Sequence, residues 1–189
     1  MIVQRYTESI KSAWNDFVHK SKNATFLFDR NYMDYHADRF NDYSLVIFNK
    51  KKIIGLFPAN LRNNSIYSHQ GLSYGGVLTL PKTTFQDTAF IYVAILEFLK
   101  EAKFETIHLK LFPTFYTSQP SEEASYFMYL LQAKKSKCDV TLAINQRARI
   151  EFSTNKKRKI KSAKKNNLTI IKSENYKTFW NEILIPNLE

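Results

Sequence analysis

The sequence predicts an α+β domain in which a mixed, largely antiparallel sheet is flanked by helices. Short segments rich in β-type residues follow one another between residues 44 and 68, separated by polar turns. Segments with one apolar helical face lie before and after them, at residues 8–20 and 85–99. Antiparallel strands followed by helical crossovers give a mixed sheet covered by helices.

The first predicted elements are a helix and a hairpin. Apolar residues at helical spacing, with Trp14 and Phe17 among them, predict a helix over residues 8–20. Residues 44–48 and 53–57 flank a polar turn and predict an antiparallel hairpin. Pro58 closes the second strand because proline cannot donate a hydrogen bond to a sheet. A third strand over residues 65–68 completes an antiparallel meander.

Helices and strands alternate after this meander. Thr83 or Thr84 is expected to cap a helix, and residues 106–111 alternate strictly between apolar and polar side chains, as a strand does. Ser118 or Ser121 is expected to cap a further helix, with Glu122 and Glu123 in its first turn. Residues 140–144 alternate again and predict one more strand.

Size and composition indicate a globular chain. It has 189 residues, of which 44% are hydrophobic and 15% aromatic, so global disorder is excluded. No run reaches the roughly 18 apolar residues of a membrane span, and the start lacks an apolar secretory segment. The single cysteine, Cys138, allows no internal disulfide. We therefore expect a cytoplasmic location, with the inner membrane surface as an alternative.

The glycine-rich stretch of residues 68–76, with the sequence SHQGLSYGG, is the most distinctive feature of the chain. It holds three of the four glycines, together with a histidine, a tyrosine and two serines. Glycine is used where the backbone takes a positive φ or approaches a partner closely. The stretch predicts a binding rim beside the sheet, and a simple strand bulge is the alternative. It matches neither common nucleotide-binding loop.

Most of the net positive charge lies in one segment. Ten basic residues and one acid fall between Arg147 and Lys172, so this segment carries +9 of the net charge of +11. Such a run can bind phosphates of RNA or of a lipid- or nucleotide-linked molecule, or lie on an anionic membrane. A solvated helix face is the alternative. The proposed anion-binding residues are Lys157, Arg158, Lys161 and Lys164.

Several stretches resemble proteins of the GNAT (acyl-CoA N-acyltransferase) superfamily. They are residues 26–40 (FLFDRNYMDYHADRF), 68–76, and 110–113 (KLFP). More narrowly, they are similar to FemAB-type transferases, which carry two such domains in tandem. The resemblance covers residues 1 to about 145 and continues into the basic stretch. One departure is that the Q/R-x-x-G-x-G/A turn, whose amides hold the CoA pyrophosphate in a working GNAT, is absent here.

The resemblance implies two domains. Residues 1–146 would form a GNAT-like amino-terminal domain. Residues 147–189 would form a basic linker helix and the start of a truncated second GNAT-like domain, with a strand at 168–171 and a helix at 177–185. On this interpretation the chain is the amino-terminal half of a cell-envelope or polysaccharide-assembly acyltransferase or aminoacyltransferase, inactive alone.

The resemblance also suggests a donor, an acceptor and site residues. The donor would be acyl-CoA or aminoacyl-tRNA, and the acceptor an anionic small molecule or a lipid-linked precursor. Group transfer needs a base for the acceptor proton and donors for the oxyanion. The candidate bases are His69 and Glu122, although a structural role is an alternative for each. The candidate substrate-binding residues are His36, Arg39, Ser68, His69, Tyr74, Gly75, Gly76, Lys110 and Tyr116.

Two alternatives accompany this interpretation. His36 and Arg39 share one helical face and could meet an anion, or they could pair with Asp34, Asp38 or Asp42. The whole chain could instead be a non-catalytic module that binds an anionic polymer such as RNA, or an anionic lipid surface, through its basic segment. No cluster in the sequence has the spacing of a metal site, so no metal is expected.

Overall fold

The computed structural model describes residues 1–188, apart from the side chain of His36. By its internal contacts the chain divides into two units, Met1–Ser136 and Lys137–Glu189. The interpretation of residues 1–146 and 147–189 as two domains stays a prediction.

The first unit contains seven short strands and four helices. The strands are β1 (Ile2–Arg5), β2 (Asn41–Asp42), β3 (Leu45–Asn49), β4 (Lys52–Phe57), β5 (Asn60–Arg62), β6 (Ser65–Tyr67) and β7 (Thr106–His108). The helices are α1 (Lys11–Lys20), α2 (Arg30–Met33), α3 (Phe85–Glu101) and α4 (Glu123–Leu130). Single 3-10 turns lie at Glu8–Ile10, Phe26–Phe28, Asp34–His36 and Thr114–Tyr116.

The strands form two sheets. One has the order β1-β3-β4 and is antiparallel, and the other has the order β2-β5-β6-β7. In the second sheet β6 pairs with β7 in parallel, whereas its other pairs are antiparallel. Pro58 separates β4 from β5, as expected for a residue that cannot donate to a ladder. The mixed, largely antiparallel α+β class is therefore confirmed.

Strand β3 contributes to two hydrophobic clusters. Leu45 and Ile47 belong to the cluster that includes Ile91 and Leu99 of α3. Val46, between them, belongs to the cluster that includes Trp14 of α1. Alternate residues of a strand point to opposite faces. The sheet is therefore covered on both sides, which explains why β3 is continuously apolar.

Helix α3 begins where the sequence predicts. Thr84 is its N-cap: its hydroxyl accepts from the Asp87 N–H at 3.1 Å, and the Asp87 carboxylate accepts in return from the Thr84 N–H at 3.4 Å. This reciprocal capping box satisfies two donors of the first turn. A helix after residue 118 is also confirmed, but it begins at Glu123, and neither Ser118 nor Ser121 caps it.

The second unit contains α5 (Thr154–Lys165) and α6 (Tyr176–Thr178). A π-helical turn at Phe179–Leu184 and a 3-10 turn at Ile185–Asn187 continue α6, so helical structure over 177–185 is confirmed. The strands predicted at 140–144 and 168–171 are wrong. Val140 and Leu142 are 89% and 90% exposed, and no strand among the described residues pairs with either segment. Strand formation needs such a partner.

Within the described residues, we find no helix that combines the length and the apolar character needed to cross a membrane.

Candidate active site

The glycine-rich stretch leaves the sheet after β6 and returns to it near Leu78. The Ser68 N–H donates to the His108 carbonyl at 2.8 Å, and the Gly75 N–H donates to the Lys110 carbonyl at 2.7 Å. Leu78 then forms an antiparallel bridge with Leu56 of β4. The backbone between these points bulges away from the ladder. A bulge of this kind redirects the chain beside a site.

Gly75 and Gly76 have different reasons to be glycine. A Cβ on Gly75 would lie 2.2 Å from the Ser68 carbonyl oxygen, which leaves no room for a side chain. Gly76 has a φ of +117°, which L side chains rarely adopt, and a Cβ there would meet no atom within 4 Å. The Gly76 backbone therefore borders open space.

That open space is a cleft with a cavity volume of about 40 Å³. One wall is the glycine pair and Val77, the second is the first half of α3, and the third is the start of α4 with the chain around Leu111. Thr88, Tyr92, Ser121 and Glu123 provide polar groups that line it. The cleft is thus lined by a backbone without side chains, by hydroxyl groups and by one carboxylate.

Asn23 holds the strand that forms the glycine wall. Its side-chain amide donates to the Val77 carbonyl at 2.8 Å and accepts from the Thr79 N–H at 2.9 Å. The side chain thereby makes the two hydrogen bonds that a neighbouring strand would make to the Val77 carbonyl and the Thr79 N–H. The position of Val77 beside Gly76 is fixed in this way.

Glu123 forms an ion pair with Lys22 at the edge of the cleft. The Lys22 side chain is 3% exposed and that of Glu123 is 20% exposed. Glu123 also accepts from the Ser121 hydroxyl at 2.9 Å. Burial would raise the pKa of the Glu123 carboxyl, but the hydrogen bonds from Lys22, from the backbone and from Ser121 outweigh it, so the pKa is lowered. The carboxylate is ionised at neutral pH.

Tyr92 lies near this carboxylate. Burial, reinforced by the negative charge of Glu123, raises the pKa of the Tyr92 phenol well above its usual value. The phenol therefore keeps its proton at neutral pH and is a potential donor in the cleft. Its ring packs against Phe127 of α4 with a centroid distance of 4.7 Å.

An aromatic group adjoins the cleft through Phe112, which lines it. The Phe112 ring meets that of Tyr74 at 4.8 Å, and Tyr74 meets Tyr116 at 5.6 Å. Tyr116 and its neighbour Phe115 are 43% and 52% exposed. Exposed rings of this kind offer flat faces to a ligand.

The structure brings some of the predicted substrate-binding residues together. Gly75 and Gly76 line the cleft, and Tyr74 and Tyr116 belong to the aromatic group beside it. Ser68 and Lys110 lie beneath the glycines: the Lys110 N–H donates to the Ser68 hydroxyl at 2.9 Å. The Lys110 ammonium donates to the Leu72 carbonyl at 2.8 Å, within the same bulge. Ser68 and Lys110 thus help to hold the backbone of the glycine-rich stretch in place.

Other predicted residues lie away from the cleft lining. His69 is 3% exposed and packs edge-on against Phe40 with a centroid distance of 5.5 Å. Arg39 is exposed and lies 3.7 Å from the Asp38 carboxylate. Glu122 is exposed, whereas its neighbour Glu123 faces the cleft. The side chain of His36 lies outside the described part of the structure. The roles proposed for these residues stay predictions.

Sequence reasoning missed Lys22, Asn23 and Tyr92. Tyr92 was recognisable as an apolar position of α3, but its place beside the cleft depends on how α3 and α4 pack. The pairing of Lys22 with Glu123 spans 101 residues and leaves no local pattern.

The predicted anion-binding residues lie on α5. Lys157, Arg158, Lys161 and Lys164 are all exposed. The Lys157 ammonium pairs with the Glu151 carboxylate at 2.7 Å, and Arg158 donates to the Asn155 side chain at 3.2 Å. Their charge therefore faces solvent. Among the described residues there is no group of three or more His, Cys, Asp or Glu side chains that could hold a metal ion.

Comparison with known proteins gives structural matches only. No protein-family model and no curated protein matches the chain. The ribosomal-protein-S18-alanine N-acetyltransferase from Escherichia coli matches with a TM-score of 0.50 at 8% identity, over 78% of this chain and 86% of that one. An aminoglycoside antibiotic 6'-N-acetyltransferase from Acinetobacter haemolyticus matches with a TM-score of 0.44 at 13% identity, over 77% and 99%. A transcriptional regulator from Bacillus halodurans C-125 matches with 0.42 at 17%, over 76% and 99%.

The likeness to the alanine N-acetyltransferase agrees with the order of elements in the first unit. Strands β3 and β4 pair in one sheet and β5 and β6 pair in the other, so the predicted three-strand meander is interrupted between Phe57 and Asn60. Helix α3 then crosses over, and β7 returns in parallel to β6. The chain has the GNAT-like acyl-CoA N-acyltransferase fold, as predicted. A fold alone does not define the reaction that its site performs.

Proposed function

We propose that the unit Met1–Ser136 is the domain of a GNAT-like acyltransferase or aminoacyltransferase that holds the acceptor together with the acyl group of the donor. The observation that carries this proposal is the cleft that Gly75, Gly76 and the ionised Glu123 line together. Acyl transfer needs a group that receives a hydrogen bond from the acceptor amine or hydroxyl. Glu123 supplies such a carboxylate, and the phenol of Tyr92 supplies a donor for a developing oxyanion.

The aromatic group supports a ring-shaped acceptor. Tyr74, Phe112 and Tyr116 form a wall whose outer ring is exposed. Flat rings suit the apolar face of a sugar as well as they suit another aromatic ring. This agrees with the proposal that the acceptor is a cell-envelope or polysaccharide precursor, in the manner of FemAB-type proteins.

The start of α3 lacks the features of a pyrophosphate site. The chain before it has no glycine-rich turn, and the Asp87 carboxylate already occupies the first turn through the capping box. A carboxylate there repels a phosphate and uses the donors that would bind it. We therefore propose that recognition of the donor depends on the acyl or aminoacyl part.

Calorimetric titration of the protein with acetyl-CoA and with aminoacyl-tRNA tests this function. We expect saturable binding of one of these donors, and a Glu123→Gln variant that transfers at least tenfold more slowly to a fixed amine acceptor. Glu122→Gln is the matched control, because Glu122 is exposed one residue away. A folded sample that binds neither donor would overturn the proposal. Equal activity of the two variants would remove Glu123 from the mechanism and favour Glu122 or His69.

A second function is favoured by the surface of α5. The helix Thr154–Lys165 carries seven cations and no acid. At 100° per residue, Lys157, Arg158, Lys161, Lys164 and Lys165 fall on one side of it. Only Ile160 and Ala163 are apolar, and so narrow a stripe does not suit insertion into a membrane. A stripe of lysines instead suits the regular phosphates of an RNA backbone.

Binding to an RNA duplex over a range of salt concentrations tests this second function. Replacing Lys157, Arg158, Lys161 and Lys164 by glutamine should weaken binding and reduce the salt slope by about 3. The control variant has the same change in charge elsewhere, with Lys20, Lys50, Lys51 and Lys52 replaced by glutamine. An unchanged slope in the α5 variant, or stronger binding to anionic vesicles than to RNA, would overturn the assignment.

A further inference from the structure

A second cavity adjoins the cleft and is almost entirely apolar. Its volume is about 120 Å³, and it lies among α3, α4 and the strand around Ile107. Its lining includes Ile95 and Leu96 of α3, Leu109 and Met128. Among its lining residues, Tyr92 has the only polar side-chain atom. We call this cavity the apolar groove.

Val77 and Tyr92 line both the cleft and the apolar groove. Val77 directly follows Gly76, whose backbone borders the open space of the cleft. Tyr92 borders both cavities and lies near Glu123, which lines the cleft. The two cavities are therefore neighbours separated by two side chains.

The chemistry of the groove selects its occupant. An apolar cavity of roughly 150 Å³ stays dry and binds a small hydrocarbon. The groove is close to that size, and a polar or charged ligand would lose its hydration there without gaining a partner. At the end away from the cleft, Leu131 is 49% exposed and Ala133 is also exposed. The groove is thus open at that end, so an unbranched chain can extend through it.

We infer that the apolar groove receives the aliphatic end of an acyl group longer than acetyl. The acyl chain would pass Tyr92, which lies between the cleft and the groove. This inference rests on the proposed acyltransferase function and names the class of its donor as a medium-chain acyl thioester. The groove adjoins the cleft, where Gly76 and Glu123 would hold the reacting carbonyl and the acceptor. An acyl group whose carbonyl lies in the cleft can therefore extend its aliphatic end into the groove.

Titration calorimetry of the whole chain with octanoyl-CoA and acetyl-CoA tests the inference. Each methylene buried in an apolar site tightens binding about fourfold. If three methylenes enter the groove, octanoyl-CoA should bind about sixtyfold more tightly than acetyl-CoA. Leu96→Trp fills the groove and should reduce this ratio to below about fivefold. Val93→Trp is the control, because Val93 lies on the same helix and is 50% exposed.

Equal affinity for the two thioesters, or a ratio that Leu96→Trp leaves unchanged, would overturn the inference while leaving the acyltransferase proposal intact. Octanoate alone separates the two proposals. If neither thioester binds, the proposed function fails, but octanoate binding that Leu96→Trp abolishes still supports the groove as an aliphatic site. A dimer that forms through the groove and resists octanoate in sedimentation would show that a second copy is the occupant, and would overturn the inference.

Discussion

Lys22 and Glu123 lie 101 residues apart in the sequence, and their side chains form an ion pair beside the cleft. The backbone of Lys22 makes two further connections. Its N–H donates to the Thr79 carbonyl at 2.9 Å, and its carbonyl accepts from the Ser118 N–H at 2.8 Å. One residue thus joins the end of α1, the strand after the glycines and the approach to α4. The position of Glu123 in the cleft depends on this junction.

Replacing Lys22 by methionine should destabilise the protein. The change leaves the Glu123 carboxylate largely buried without its partner, and removing one member of a buried pair costs about 3 kcal/mol or more. Urea denaturation followed by circular dichroism measures the loss. Lys137→Met is the control, because Lys137 pairs with Asp139 at 2.8 Å on the surface and should leave the midpoint unchanged. Equal midpoints for Lys22→Met and the unmodified protein would contradict this account.

The same ion pair predicts a dependence of stability on pH. The pKa of Glu123 is lowered from its ordinary value of 4.5, so the folded state binds the proton less readily than the unfolded state. The stabilisation is therefore complete above about pH 4.5 and is lost as the pH falls through the lowered pKa. We expect the difference in unfolding free energy between the unmodified protein and Glu123→Gln to shrink between pH 5 and pH 3. The contributions of the other carboxylates to the pH dependence are common to both proteins and cancel in this difference. A difference that stays constant down to pH 3 would show that Glu123 carries no such linkage.

Sequence reasoning succeeds where one segment contains its own signal. Helix α3 combines helical spacing with a cap at Thr84, and both were recognisable. The sequence does not indicate strand β1, because three of its four residues are exposed and only Val3 is partly buried. The strand is defined by its pairing with β3. The alternation at residues 140–144 is typical of a strand. A strand also needs a neighbouring strand to pair with, and alternation does not provide one.

The cleft was predictable in its backbone but not in its side chains. Clustered glycines indicate a bend or a close approach; Gly76 takes the positive φ of a bend, and Gly75 makes the close approach. The choice between Glu122 and Glu123 depends on where α4 begins and how it turns, which the doublet itself does not show. Lys22 reaches the site only through tertiary packing.

Substitution of the two cleft glycines should give unequal effects. An alanine at position 75 places its Cβ 2.2 Å from the Ser68 carbonyl, so the bulge must move and the hydrogen bond to Lys110 must lengthen. An alanine at position 76 meets no atom within 4 Å, and only the strain of φ +117° opposes it. We expect losses of about 3 kcal/mol for Gly75→Ala and about 1 kcal/mol for Gly76→Ala. Chemical denaturation measures both, and a larger loss at position 76 would contradict the assigned geometry.

Arg30 should be far more sensitive to a conservative change than its charge suggests. It is 2% exposed, and its guanidinium carbon lies 3.5 Å from the ring centre of Tyr6 and 4.2 Å from that of Trp14. Its Nη1 lies 3.3 Å from the Asp42 carboxylate, whereas Nε and Nη2 make no hydrogen bond within the described residues. Tyr6 and Trp14 meet edge to face, with an angle of 73° between their planes, and the guanidinium contacts both rings. These cation–aromatic contacts therefore contribute much of its stabilisation.

Arg30→Lys keeps the charge but loses the flat stacking surface, and we expect it to reduce the free energy of unfolding by about 2 kcal/mol. Arg5→Lys is the matched control. Arg5 stacks on one ring only, with its guanidinium carbon 4.4 Å from the centre of Tyr43, and it is exposed, so the loss should stay below about 0.5 kcal/mol. Guanidinium chloride denaturation of the two variants gives the comparison. Equal losses at the two positions would show that charge, and not contact with the rings of Tyr6 and Trp14, holds Arg30 in the interior.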